Sequence, residues 1–189
     1  CIRDRDGLAV VVSLDGGVKE TCLYTPGLGT GKRAVILSTS SAVAPDVIED
    51  DIPEHELPDA GPIGRFLIDP DGAIVRAGLV RHYAAREGLH QLDPRIAYLT
   101  GDHLPEGTSG FEFIELVPMK KLKAAMSAHD VGSLEILVRG QDVDPDQLRK
   151  KLKLKGSTAK TLVVTRIGAK GVAVLCGPRV VSTEGNYAP

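Results

Sequence analysis

At 189 residues, with 42% hydrophobic and 25% charged side chains, the chain has an ordinary globular composition and enough length to bury a core, as one domain or two small ones. Trp is absent and aromatics are only 4%, which argues against rows of rings on which single-stranded bases stack, and no apolar run approaches the ~18 residues a spanning helix needs. The formal net charge of −2 hides a division: residues 1–118 carry 10 Lys and Arg against 19 Asp and Glu, residues 119–171 carry 12 against 5, and the tail balances. Such asymmetry points to an anionic partner for the basic part, or to attraction between the two parts.

The chain opens on Cys1 with no signal-peptide pattern behind it, and so reads as the remaining part of something longer. The opening CIRDR also resembles translated adapter read-through, so Cys1 to Asp6 carry no weight in the fold. Leu8 to Leu14 and Val18 to Tyr24 are rich in strand formers and flank Asp15-Gly16-Gly17, a hairpin signal. A third strand is predicted over Arg33 to Ser38. From Ser40 to Pro62 periodicity is lost while seven acids and four prolines accumulate without a compensating base, which predicts an acidic linker over 46–62. Gly64 to Ile68 suits a short strand. Asp69-Pro70-Asp71 then opens one helix to about Glu87, with Val75, Leu79, Val80, Tyr83 and Ala84 inward and Gly88 as terminator. Strands follow at Ile96 to Thr100 and Phe111 to Val117, and Pro118 opens a basic helix to about His129 through Lys120, Lys121 and Lys123. Leu134 to Val138 suits a buried strand. Asp144, Pro145 and Gln147 then stand as N-cap, first helical residue and capping-box partner, with Gly156 as the stop. Strands at Thr161–Ile167 and Val172–Cys176 flank a Gly168–Gly171 turn, and Asn186 to Pro189 should fray. Small units of mixed strands and helices argue for α+β architecture.

The most tempting motif, Gly27 to Lys32 (GLGTGK), follows a strand but leads into strand-like Arg33-Ala-Val-Ile-Leu, where a nucleotide loop needs a helix N-terminus. A glycine-rich hairpin connection is the better reading. The five histidines form no HxxxH or HExxH pattern, and the cysteines at 1, 22 and 176 have neither metal spacing nor an even count, so no metal site is expected and reduced, cytoplasmic thiols are. No GxSxG elbow supports a hydrolase triad. The paired carboxylates Asp69/Asp71 and Asp142/Asp144/Asp146 stand at helix starts, where capping and the helix dipole explain them. Arg76 is expected either to orient a loop or to pair with Asp69 or Asp71. The helix after Asp144 is different: beyond Asp146 it has no acid, while Arg149, Lys150, Lys151, Lys153 and Lys155 follow in sequence. Such a strip either keeps a small helix soluble or neutralises phosphates without regard to sequence.

Four segments carry a family likeness: GRFLIDPDGAIVRAGLV (64–80), LDPRIAYLTGD (92–102), FEFIELVPMKKLK (111–123) and LEILVRGQDVDPDQLRKKLKLKG (134–156). In order and spacing they resemble the C-terminal region of bacterial class I S-adenosylmethionine-dependent methyltransferases, a ferredoxin-like segment followed by a THUMP-like domain. The resemblance implies remnant strands of a methyltransferase sheet over 1–45, the acidic linker over 46–62, a ferredoxin-like segment over 63–118 and a THUMP-like α/β unit over 119–184. It implies a methyltransferase that uses S-adenosylmethionine and handles RNA, with the cofactor-binding domain missing ahead of this chain. On that reading the chain alone binds no cofactor, is inactive and carries no catalytic residue. It presents RNA to its missing partner domain through Arg139, Arg149, Lys150, Lys151, Lys153 and Lys155. The alternative is a docking module of the same enzyme without nucleic-acid affinity.

Overall fold

The computed structural model describes residues 6–40 and 42–182, and the expectations for the opening residues and for the tail from Asn186 lie outside them. The chain folds as two compact units, one of residues 1–59 and 70–91, the other of 60–69 and 92–189.

The first unit is a four-stranded sheet, β1 Leu8–Leu14, β2 Gly17–Tyr24, β3 Gly31–Leu37 and β4 Asp46–Glu49, in the order β2-β1-β3-β4. Asp15 and Gly16 both take positive φ, 49° and 77°, the two-residue turn whose twist matches an antiparallel hairpin. Leu14 accordingly faces Gly17 in register. β3, however, pairs parallel with β1. Gly27 to Lys32 is therefore not a hairpin connection: through a 3-10 turn at Pro26–Leu28 it carries the chain past the end of β1 to that strand's other edge.

The acidic stretch is likewise not a free linker. Its first residues form β4, antiparallel to β3, and its bases arrive from far along the chain. Arg33 pairs with Glu49, Arg81 with Glu54, and Arg86 with Asp46 at 2.7 Å. Arg81 also donates to the carbonyls of Leu57 (3.0 Å) and Pro58 (3.2 Å). Sequence proximity hid these pairs, because the arginines sit 16 to 40 residues away. The single helix predicted after Asp69 is two, α1 Gly72–Ala77 and α2 Val80–Arg86. Asp71 caps the first, accepting from Ala73 N at 2.7 Å, and Gly78 ends it in the left-handed region at φ 75°. Arg76, expected to pair with Asp69 or Asp71 or to orient a loop, is exposed instead. Ala73, Ile74, Ala77, Val80, Tyr83 and Ala84 are buried, and α1 packs on β1, β2 and β3.

The second unit is a seven-stranded sheet: β5 Phe66–Ile68, β6 His90–Asp93, β7 Ile96–Gly101, β8 Ser109–Val117, β9 Val131–Val138, β10 Thr158–Ile167 and β11 Lys170–Val181, in the order β6-β7-β5-β8-β11-β10-β9. The segment expected to be one ferredoxin-like piece, 63–118, thus gives its helices to the first unit and most of its strands to this one. Two helices belong here, α3 Leu122–Ala128, behind a 3-10 turn at Met119–Lys121, and α4 Pro145–Leu152. β9 and β10 are parallel, so they need a crossover connection, and α4 lies within it.

Alternation along the inner strands makes two cores. Leu162 and Val164 of β10 with Ala173 and Leu175 of β11 join Leu122, Met126 and Leu152 of the helices on one face. Val163, Val174 and Cys176 join Leu67, Tyr98 and Phe111 on the other. Each fully buried Leu or Phe contributes about 1.5–3 kcal/mol. At one end of the second core the β6–β7 turn is tied to the β10–β11 turn. Asp93 accepts from Gly168 N at 2.6 Å and from Arg95 N at 2.9 Å, and Arg95 donates to the Gly168 carbonyl at 2.8 Å. Burial disfavours the Asp93 anion, yet these backbone donors and the Arg95 guanidinium hold its carboxyl below the usual range.

Candidate nucleic-acid interface

The geometry of α4 begins at its cap. Asp144 Oδ1 accepts from the N–H groups of Asp146 (2.8 Å) and Gln147 (3.0 Å), satisfying two of the donors a helix start leaves open. The Gln147 side chain returns to the Asp144 carboxylate at 3.2 Å rather than to a backbone N–H. Leu152 is buried and Leu148 half-buried against the core that α3 also covers, which fixes the opposite side of α4 outward. Asp146 in the first turn and Arg149, Lys150 and Lys151 in the last complement the helix dipole.

The helix does not run to Gly156. It ends at Leu152, and Lys153 takes the left-handed cap position with φ 51° and ψ 55°, a conformation that costs a side-chain-bearing residue about 1–2 kcal/mol. Gly156 serves another purpose: a Cβ there would stand 2.0 Å from the Asp130 carbonyl oxygen, and one on Gly132 would stand 1.9 Å from the Gly156 oxygen. Two glycines let the strand β9 and the entry to β10 approach backbone to backbone.

Of the six side chains expected to contact phosphates, the structure gathers five. Arg149, Lys150, Lys151, Lys153 and Lys155 are all exposed along the end of α4 and the segment after it. Arg149 is already engaged, donating to Asp146 at 2.6 Å and reaching the Leu134 carbonyl at 3.5 Å. The four lysines make no hydrogen bond or ion pair among the described residues. Arg139 stands apart, beyond the opposite face of the sheet. It pairs with Asp69 at 2.9 Å and lies over the Tyr98 ring at 4.8 Å. Burial pushes the Asp69 carboxyl up, and Arg139 opposes the shift. The Arg139 charge is spent inside the fold. Lys123, noted in the sequence only as part of a basic helix, joins the lysines: it lines with Met126, Asp130, Lys153, Lys155 and Gly156 an open pocket of about 340 Å³ between α3 and the segment after α4. Only the crossover of β9 could have shown this, since thirty residues separate Lys123 from Lys153.

Among the described residues no group of three or more His, Cys, Asp or Glu could hold a metal. No helix among them is long and apolar enough to cross a membrane.

Residues 108–178, which contain β8 through most of β11 with α3, α4 and all the lysines above, match the family described as THUMP domain-like. That stretch is similar to THUMP-like domains. The chain is 46% identical over 184 residues to uncharacterized S-adenosylmethionine-dependent methyltransferases of Mycobacterium tuberculosis strains H37Rv and CDC 1551, over 92% of this chain and 49% of each relative. The chain spans about half the length of these curated relatives. Its fold is that of a crystal structure described as a "putative methyltransferase" from Porphyromonas gingivalis W83, with a TM-score of 0.69 at 23% identity over 91% of this chain and 45% of that one.

Proposed function

We propose that this chain is the substrate-binding portion of an S-adenosylmethionine-dependent methyltransferase, and that the THUMP-like domain holds RNA by its phosphates for a catalytic domain in the rest of the polypeptide. The cofactor belongs to that other part. The observation that carries the reading is the set of four exposed, unpaired lysines within six residues, Lys150, Lys151, Lys153 and Lys155, on the end of a capped helix. Ordinary surface helices interleave acids with their lysines, whereas here only Asp146, at the far end, is acidic and Arg149 has taken it. Ammonium groups left free in this way release counterions when they meet a phosphodiester backbone, and binding gains from that release. The two arginines contribute differently. Arg149 can exchange Asp146 for a phosphate at the edge of the strip, while Arg139, engaged by Asp69 and Tyr98, would act by anchoring the end of β9.

The test is fluorescence anisotropy with a structured RNA, comparing the chain with its Lys150→Glu/Lys153→Glu variant and with a Lys120→Glu/Lys121→Glu control that reverses the same number of charges elsewhere. The first variant should lose most of its affinity and the control much less. Equal losses would reduce the effect to net charge, and no loss in either would leave the strip as a solvated face of a docking module.

A further inference from the structure

Both helices of the second unit leave on a strained residue. Helices commonly end in the left-handed conformation on glycine, which has no Cβ to clash. α4 ends instead on Lys153 at φ 51°, and α3 is followed by Asp130 at φ 50°. The one other non-glycine residue with positive φ among the described residues is Asp15, in the β1–β2 turn. Such strain persists only where the surrounding structure holds it, and it collects at binding sites. Lys153 and Asp130 line the same pocket, the opening of about 340 Å³ between α3 and the segment after α4.

The pocket has two chemically distinct sides. α3 presents Lys123, Met126 and Ser127 to it, spaced three and four residues apart and so on one face of the helix. Met126 and Leu152 are buried and Leu154 is half-buried, which makes an apolar floor. Lys123, Lys153 and Lys155 are exposed around it, with no hydrogen bond or ion pair among the described residues. Three ammonium groups stand against one carboxylate, that of Asp130. Its Oδ2 accepts from the Ser157 hydroxyl and N–H, which holds the carboxyl below its usual range and leaves Oδ1 to a ligand. An anion joined to a flat apolar body with polar edges suits such a lining, and the volume lies at the small end of the ~300–1,000 Å³ of small-molecule sites. We propose that the pocket holds one phosphorylated nucleoside, its phosphate among the three lysines and its base against Met126, Leu152 and Leu154. In an RNA this is an unpaired nucleotide splayed out of its stack, the form in which single strands are read. A thioether sulfur is a favourable neighbour for the aromatic ring of its base. The inference rests on the RNA reading for that strand, and narrows it from phosphates along a strip to a single nucleotide.

The probes are guanosine monophosphate and inorganic phosphate, titrated into the chain and followed by NMR at the Met126 methyl group. Two RNA hairpins, one fully paired and one with a single bulged nucleotide, are followed by anisotropy. The nucleotide should bind at least about tenfold more tightly than phosphate, since the buried base adds to the same charge contacts, and the bulged hairpin should be preferred. Lys153→Gly, which relieves the left-handed strain and so keeps the fold, should weaken nucleotide binding. Ser127→Tyr, at an exposed helix position, fills the pocket without changing a charge. It should abolish nucleotide binding and the preference for the bulge while sparing affinity for the paired hairpin. Equal binding of nucleotide and phosphate, or a Ser127→Tyr protein that binds the nucleotide as before, would overturn the inference. No nucleotide binding, with equal affinity for the two hairpins, would overturn it and keep the RNA reading. Nucleotide binding with no affinity for either hairpin does the reverse. Nucleotide binding with equal hairpin affinities keeps the pocket and assigns it to a free nucleotide.

Discussion

Replacing Gly156 by Ala distinguishes a helix stop from a backbone crossing. The new methyl group would stand 2.0 Å from the Asp130 oxygen, 2.1 Å from its carbonyl carbon and 2.6 Å from Val131 N, far inside the ~3.5–4.0 Å at which carbon atoms rest. None of these atoms belongs to a side chain that can rotate away, so the two backbones must part. Three hydrogen bonds hold them: Gly156 N to Val131 O at 3.1 Å, and Ser157 N and Thr158 N to Asp130 O, each at 2.9 Å. At a net worth of about 1 kcal/mol each, their loss costs about 3 kcal/mol. Lys153→Gly should act in the opposite sense. It removes a left-handed lysine worth about 1–2 kcal/mol of strain, while glycine's freedom in the unfolded chain takes back about 0.5–1 kcal/mol, so the variant is neutral to mildly stabilising. Urea unfolding of the two variants, followed by far-ultraviolet circular dichroism, measures both. If Gly156→Ala cost less than about 1 kcal/mol, the ordinary worth of glycine's backbone freedom, the crossing would not be tight and the reasoning would fail.

Three further outcomes follow from the cap, the core and the ion pair. Asp144→Ala should lower the unfolding midpoint, and its effect should depend on pH in one direction. Hydrogen bonds from Gln147 N and Asp146 N hold the Asp144 carboxyl below its usual value of 3.8. A depressed folded-state value stabilises above the unfolded one and is lost as pH falls through the folded one, so wild type and variant should converge in acid and differ at neutral pH. Burial raises the Cys176 thiol from 9.0 to about 12. The unfolded chain then loses that proton first, and stability should fall as pH rises between 9 and 12, with a shallower fall in Cys176→Ala. Native Cys176 should also resist thiol reagents that label Cys22. Arg139→Gln should lower the unfolding midpoint, by leaving Asp69 half-buried without its partner, while changing RNA affinity less than Lys153→Gln does. Equal losses of affinity would return Arg139 to the interface.

Local chemistry was the most legible part of the sequence. Asp15-Gly16 announced its turn, Asp71 and Asp144 announced their caps, and the alternation of Phe111 to Val117 announced a strand, because each signal is complete within a few residues. What the sequence hid depends on distant partners. β4 looked like linker since the arginines that neutralise it lie on β3 and α2. The break at Gly78 was masked by apolar residues that continue the helical period on both sides. The crossing of β2 to β3 past β1 was invisible because a glycine-rich loop reads the same whichever edge it reaches. In the candidate interface the lysines were countable in advance. That none of the four has an ion pair among the described residues was not, nor was the loss of Arg139 to Asp69 and Tyr98. The resemblance to the methyltransferases ran ahead of any of this, and the THUMP-like match over 108–178 covers the segment that holds the lysines.

The most direct measurement is the salt dependence of RNA binding by the unmodified chain. If Lys150, Lys151, Lys153 and Lys155 each meet a phosphate, the logarithm of the binding constant should fall with the logarithm of salt concentration at a slope of about −2.8 on single strands to −3.6 on duplex. Binding that does not change with salt, or no binding at low salt, would contradict the assignment of the lysine strip to RNA.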